Sequence, residues 1–187
     1  MAVVCLYCDF QDREKQTATD MIGALTRQLV NALRFVPTKI QEAFKRAERE
    51  VGGRGLKVSE AVMLLRTALA PVRRTFILID ALDECPDKHL FELLTSLRTI
   101  SQGSPDIRIF ITGRPHIRSM VEKHFPRGMQ VIPISPNSED IRVYLERALE
   151  RDLDSETMNP ALKADIVKRI PERIPGAYVM ASLPPKA

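Results

Sequence analysis

Three carboxylates follow an apolar run in Phe76-Ile77-Leu78-Ile79-Asp80-Ala81-Leu82-Asp83-Glu84. A run apolar at every residue reads as a strand buried on both faces, as in a parallel sheet. Ligands of open α/β sheets bind outside the carboxyl ends of the strands, where Asp80 falls. A carboxylate there can hold a hard cation such as Mg²⁺ or its waters. Asp83 or Glu84, a few residues on, can orient an attacking water. The plainer reading is a solvated acidic loop, but a buried strand before it and a Pro86-started helix after it favour the site. A second apolar run, Ile107 to Thr112, ends in Thr112-Gly113-Arg114-Pro115. An arginine at a strand end is usually surface charge. In a parallel sheet it projects onto the same edge as Asp80, where its planar fork can grip a phosphate oxygen.

The elements that must position these groups follow from periodicity. Val3 to Phe10 is a short apolar strand. Thr17 caps a helix with Asp20 three residues on, and Met21, Leu25, Leu29 and Ala32 form its apolar face until Pro37 ends it. A polar helix runs from about Thr38 to Val51, Gly52 to Gly55 is a loop, and a third helix spans Val58 to Leu69. The helix after Pro86 carries Leu90, Leu93, Leu94 and Leu97; a short one spans His116 to His124, before a final strand at Val131 to Ile134. Strands alternating with helices predict an α/β protein with a parallel sheet. From Asn137, a cap with Asp140 three residues on, the pattern becomes helical: Ile141, Tyr144, Leu145, Ala148 and Leu149 share a face. Segments at about Pro160 to Ile170 and Pro175 to Leu183 read as further helices.

Composition narrows the classes. The 187 residues are 44% hydrophobic, enough for a real core and against wholesale disorder. No apolar run reaches the roughly 20 residues of a membrane-spanning helix, and the apolar start has neither basic flank nor cleavage site, so it reads poorly as a signal peptide and well as a strand. Three cysteines make no disulfide framework and point to a reducing, cytoplasmic setting. Net charge is +4, and the basic residues between Lys39 and Lys57 alternate with Glu42, Glu48 and Glu50, a solvated face and not a nucleic-acid footprint. Cys5 and Cys8 on one strand lie about 10 Å apart on opposite faces, beyond disulfide reach, and read as core thiols. Cys85 has only His89 near it as a base and is not read as a nucleophile. His89, His116 and His124 have no metal-ligand spacing.

Taken in order, these segments resemble a known family. Val4-Cys5-Leu6-Tyr7-Cys8-Asp9-Phe10 with Gln16-Thr17-Ala18 is similar to the second strand and following helix of NACHT-type STAND P-loop NTPases, closest to the nephrocystin-like group common in fungi. Ile79 to Cys85 resembles the extended Walker B segment. Ile111-Thr112-Gly113-Arg114-Pro115 resembles the sensor strand, where Ser is usual in place of Gly113. Pro136 to Ile141 resembles the opening of a helical segment, and Gly176 to Leu183 a helix further on.

The resemblance implies a three-layer parallel-sheet fold over residues 1–135, without its first strand, followed at 136–187 by the start of a helical subdomain. It implies Mg²⁺ positioned by Asp80, water oriented by Asp83 or Glu84, and the terminal phosphate of ATP or GTP sensed by Arg114. The expected function is a signalling nucleotide switch. One departure dominates. None of the eight glycines makes the phosphate-cradling Gly-x-x-x-x-Gly-Lys-Ser/Thr loop, which the family places ahead of what is here the first strand. The chain is therefore expected to be incomplete and not to hydrolyse nucleotide alone. Two alternatives stand beside this: an interaction module that keeps the scaffold without the chemistry, and a Mg²⁺-dependent phosphodiesterase using Asp80, Asp83 and Glu84. In the family's order the missing strand would lie between Ile107–Thr112 and Val131–Ile134. Its loss is expected to leave unpaired strand edges open to self-association.

Overall fold

The computed structural model describes residues 1–12, 16–49, 55–104, 106–126, 128–134, 137–151, 159–173 and 177–182. The strands are β1 (Ala2–Tyr7), β2 (Thr75–Asp80), β3 (Ile107–Gly113), β4 (Met129–Ile134) and β5 (Ala177–Ser182). The helices are α1 (Ala18–Ala32), α2 (Thr38–Arg49), α3 (Val58–Leu69), α4 (Asp87–Gln102), α5 (Arg118–His124), α6 (Ser138–Arg151) and α7 (Pro160–Arg173). The protein is α/β. β1, β2 and β3 run parallel, with Ala2 level with Thr75 and Thr75 level with Ile107.

The α1 start follows its sequence. Thr17 Oγ1 accepts the Asp20 N–H at 3.2 Å, supplying a partner for a donor that the first turn leaves unpaired. The helix buries Met21, Ile22, Leu25 and Leu29. It contacts β1, α3 and α4, and α3 also contacts α4, so all three cover one face of the sheet. That face presents Ala2, Val4 and Leu6 from β1, Ile77 and Ile79 from β2, and Ile107, Ile109 and Ile111 from β3, all buried. Leu93, Leu94 and Leu97 of α4 and Leu65 of α3 meet them without solvent access. Each such side chain contributes about 1.5–3 kcal/mol on burial.

The other face departs from the sequence reading. β2 was expected to be buried on both sides, yet Leu78 is 38% exposed, and Val3, level with Phe76 on the same face, is 54% exposed. Phe76 and Phe110 are half-buried and touch, ring centroids 6.3 Å apart. The apolar run reflects a parallel sheet, but among the described residues of this unit the packed helices are all on the opposite side. Cys5, on this face, is accordingly half-buried and not a core thiol; Cys8 is buried.

The outer edge of β1 is closed by a side chain. Gln28 of α1 accepts the Cys5 N–H at 2.9 Å and donates to the Cys5 carbonyl at 2.8 Å, standing in for a neighbouring strand.

Two further expectations are corrected. The segment read as a helix at Pro175 to Leu183 contains strand β5, and the sheet order is β1-β2-β3-β5-β4. The gap expected between β3 and β4 is thus filled from within the chain. The physical reason is the ladder: a third strand pairs the open N–H and C=O groups of two strand edges, which a helix, bonded within itself, would leave unpaired. Tyr178 and Val179 also suit a strand.

By contacts the chain divides into Met1–Ile132 with Val179–Ala187, and Pro133–Tyr178. In the latter, Asn137 Oδ1 accepts the Glu139 N–H at 3.0 Å at the start of α6, and α6 packs on α7. Gly52, Gly53 and Arg54 of the expected loop lie outside the described residues.

Candidate functional site

The carboxyl ends of β1, β2 and β3 form one edge. β2 delivers Asp80 there, and the chain turns at once through Ala81, whose φ of 52° is in the left-handed region. That conformation is unusual for a residue with a Cβ and costs on the order of 1–3 kcal/mol. It is held by contacts on both sides. The Ala81 N–H donates to Thr112 Oγ1 at 2.9 Å, and the Thr112 hydroxyl donates to Asp80 Oδ1 in a short hydrogen bond. The Asp80 carbonyl accepts the Cys8 N–H at 3.0 Å. Asp80 itself is exposed.

A 3-10 turn, Leu82–Glu84, follows, anchored by fully buried Leu82. It sends its two carboxylates in different directions. Asp83 turns toward the end of β3, where Oδ1 accepts the Arg114 N–H at 3.1 Å and Oδ2 lies 3.4 Å from Arg114 Nε. Glu84 turns toward the end of β1, and its Oε2 accepts the Phe10 N–H at 3.1 Å. The acidic segment therefore ties three strand ends together. The Arg114 guanidinium remains mostly in solvent.

Asp80, Asp83, Glu84 and Arg114 thus lie at one edge, as their strand-end positions implied, but they do not converge on one point. Among the described residues no group of three or more His, Cys, Asp or Glu side chains could hold a metal ion. Asp80 and the Thr112 hydroxyl are joined at this edge, one carboxylate and one neutral oxygen.

Three contributors were not singled out from the sequence as site residues. Thr112 bridges Asp80 and the strained Ala81; its signal was a hydroxyl at a strand end level with a carboxylate. Gly113 is where a Cβ would meet Ile117 Cδ1 at 2.5 Å and Asp83 Oδ1 at 3.3 Å. A side chain at this point requires the buried Ile117 to shift. Cys8 lies beneath the acidic turn. Burial first, then Cys85 and the carboxylates Glu84, Asp80 and Asp83, push its thiol from 9.0 up to about 12.

Cys85, His89 and His124 make contacts of their own. Cys85 is buried with its sulfur 3.8 Å from the Pro86 carbonyl. His89 pairs loosely with Glu92 at 3.7 Å, and its Nδ1 has no hydrogen-bond partner. His124 packs edge-on to Phe91 and contacts the Met120 carbonyl at 2.8 Å. None of the described helices is long and apolar enough to cross a membrane.

Compared with known proteins, residues 1–114 match a family model described as nephrocystin 3, N-terminal. No curated protein and no solved structure matches the chain.

Proposed function

The chain belongs to the nephrocystin 3 N-terminal family, and from that premise we propose that it is a NACHT-like nucleotide-switch module that does not hydrolyse nucleotide by itself. The observation carrying this reading is the tie between Asp83, after β2, and Arg114, after β3, at the carboxyl edge of a parallel sheet. Such a tie couples a Walker B-like segment to a cation able to meet a terminal phosphate. Asp80 and Thr112 would hold Mg²⁺ on ATP or GTP, where the ion neutralises charge on the phosphoryl oxygens. Asp83 meets Arg114 with both oxygens, whereas Glu84 meets the Phe10 N–H through Oε2, so orientation of a water in this reading falls to Glu84 through Oε1. Arg114, mostly solvent-facing, would contact the phosphate.

What the edge lacks is enclosure. One carboxylate and one cation give few contacts to a triphosphate, and the chain contains no phosphate-cradling glycine loop. Calorimetric titration with Mg-ATP should give weak or undetectable binding. A micromolar or tighter dissociation constant, about −8 kcal/mol or better, would overturn the incomplete-site reading.

A second reading, an interaction module, draws on the uncovered sheet face with Val3, Tyr7 and Leu78 exposed. Parallel sheets are ordinarily covered on both faces. Under that reading Leu78→Ser with Val3→Thr reduces concentration-dependent association in light scattering; unchanged association removes it. The phosphodiesterase alternative needs converging carboxylates, and Asp83 and Glu84 point to different strand ends.

A further inference from the structure

Away from the strand edge, α1, α2 and the start of α3 line a partly open cavity of about 640 Å³. That volume is on the scale of small-molecule sites, about 300–1,000 Å³. Its walls are almost wholly apolar, with Val30, Ile40, Phe44 and Leu64 among them. Two cations, Arg27 and Lys45, line it and are exposed at its mouth. Among the described residues neither has an ion-pair partner, and no carboxylate lines the cavity. An apolar interior whose described charged lining residues are both cations, beside the neutral Asn31 and Gln41, is complementary to an amphiphile with an anionic head.

We propose that this cavity is a binding site for a single-chain aliphatic carboxylate, with the hydrocarbon between α1 and α2 and the carboxylate between Arg27 and Lys45. Gly23 supports the assignment. It stands in the interior of α1, where glycine is the least favoured residue after proline, and a Cβ there meets nothing within 4 Å. Gly23 is exposed and lines the cavity, so a side chain added here enters its open side. Phe44, exposed on α2, gains an apolar partner when a chain occupies that space.

The test is calorimetric titration of the whole chain with octanoate, decanoate and dodecanoate below their micelle concentrations. Binding of one equivalent is expected, tightening roughly fourfold for each added CH₂ that enters the cavity. Dodecyltrimethylammonium should bind at least tenfold more weakly than dodecanoate. Gly23→Phe fills the space and should weaken dodecanoate at least tenfold with the circular dichroism spectrum retained. Arg27→Glu with Lys45→Glu, both at the surface, should keep the fold and reverse the headgroup preference. Absence of binding, a headgroup preference that survives charge reversal, or dodecanoate affinity unchanged in folded Gly23→Phe would overturn the proposal. Dimerisation through this cavity, seen as a concentration-dependent mass abolished by Gly23→Phe without any carboxylate binding, would also overturn it.

Discussion

Asp83 holds Arg114 at two points, through its backbone N–H at 3.1 Å and through Nε at 3.4 Å. The two bonds differ in worth. The Asp83 side chain is 6% exposed and that of Arg114 70%, so the guanidinium contact is screened. Asp83→Ala removes the charged acceptor of the Arg114 N–H together with the Nε contact and should cost about 1.5–3 kcal/mol in urea denaturation. Arg114→Ala should cost less than about 1 kcal/mol. Equal losses would mean that the side-chain pair, and not the backbone tie, holds the two strand ends together.

Gly113 should resist replacement for a local reason. Gly113→Ser, the residue of the motif it resembles, drives a Cβ into Ile117 Cδ1 and should destabilise by about 1–3 kcal/mol. Ile117→Val removes that methyl. The double variant should recover most of the loss in thermal melts, giving a coupling energy of at least about 1 kcal/mol. Additive losses would show that the close approach does not limit this position.

Strand β5 should be necessary for the sheet. A chain ending at Arg173 leaves the facing edges of β3 and β4 unpaired, losing about 1 kcal/mol for each backbone hydrogen bond. Amide exchange should then speed up along Ile107–Gly113, and size-exclusion chromatography should show larger species. A monomer with unchanged protection in β3 would contradict the strand order.

Cys8 makes stability depend on alkaline pH. Its folded-state pKa, about 12, lies above the ordinary 9.0, so between those values the folded chain keeps a proton that the unfolded chain has lost. Stability from this thiol is complete below pH 9 and falls as pH rises toward 12. At pH 10 the loss should be on the order of 1 kcal/mol relative to pH 8, and Cys8→Ala should flatten that part of the profile. Native Cys8 should also resist iodoacetamide at pH 8, becoming reactive only on unfolding. Rapid native labelling would show that the thiol is neither buried nor protonated as described.

The sequence by itself determined the elements with a strong local signal. Thr17, Asp20 and the fourfold apolar spacing placed α1; the runs Phe76–Ile79 and Ile107–Ile111 placed two parallel strands; and their ends placed Asp80 and Arg114 on one edge. These follow from short-range rules, because a cap, a period and a strand direction are properties of neighbouring residues. Only the tertiary structure decided which carboxylate is engaged by which strand end. Asp83 and Glu84 are adjacent in the chain, yet one meets Arg114 and the other Phe10, because the 3-10 turn after the left-handed Ala81 rotates them apart. Only tertiary structure, too, left Leu78 exposed and put Ala177–Ser182 between β3 and β4. An apolar run cannot report whether a helix arrives on its second face. A short segment such as Tyr178-Val179-Met180 is ambiguous until two open strand edges supply the partners that make it a strand.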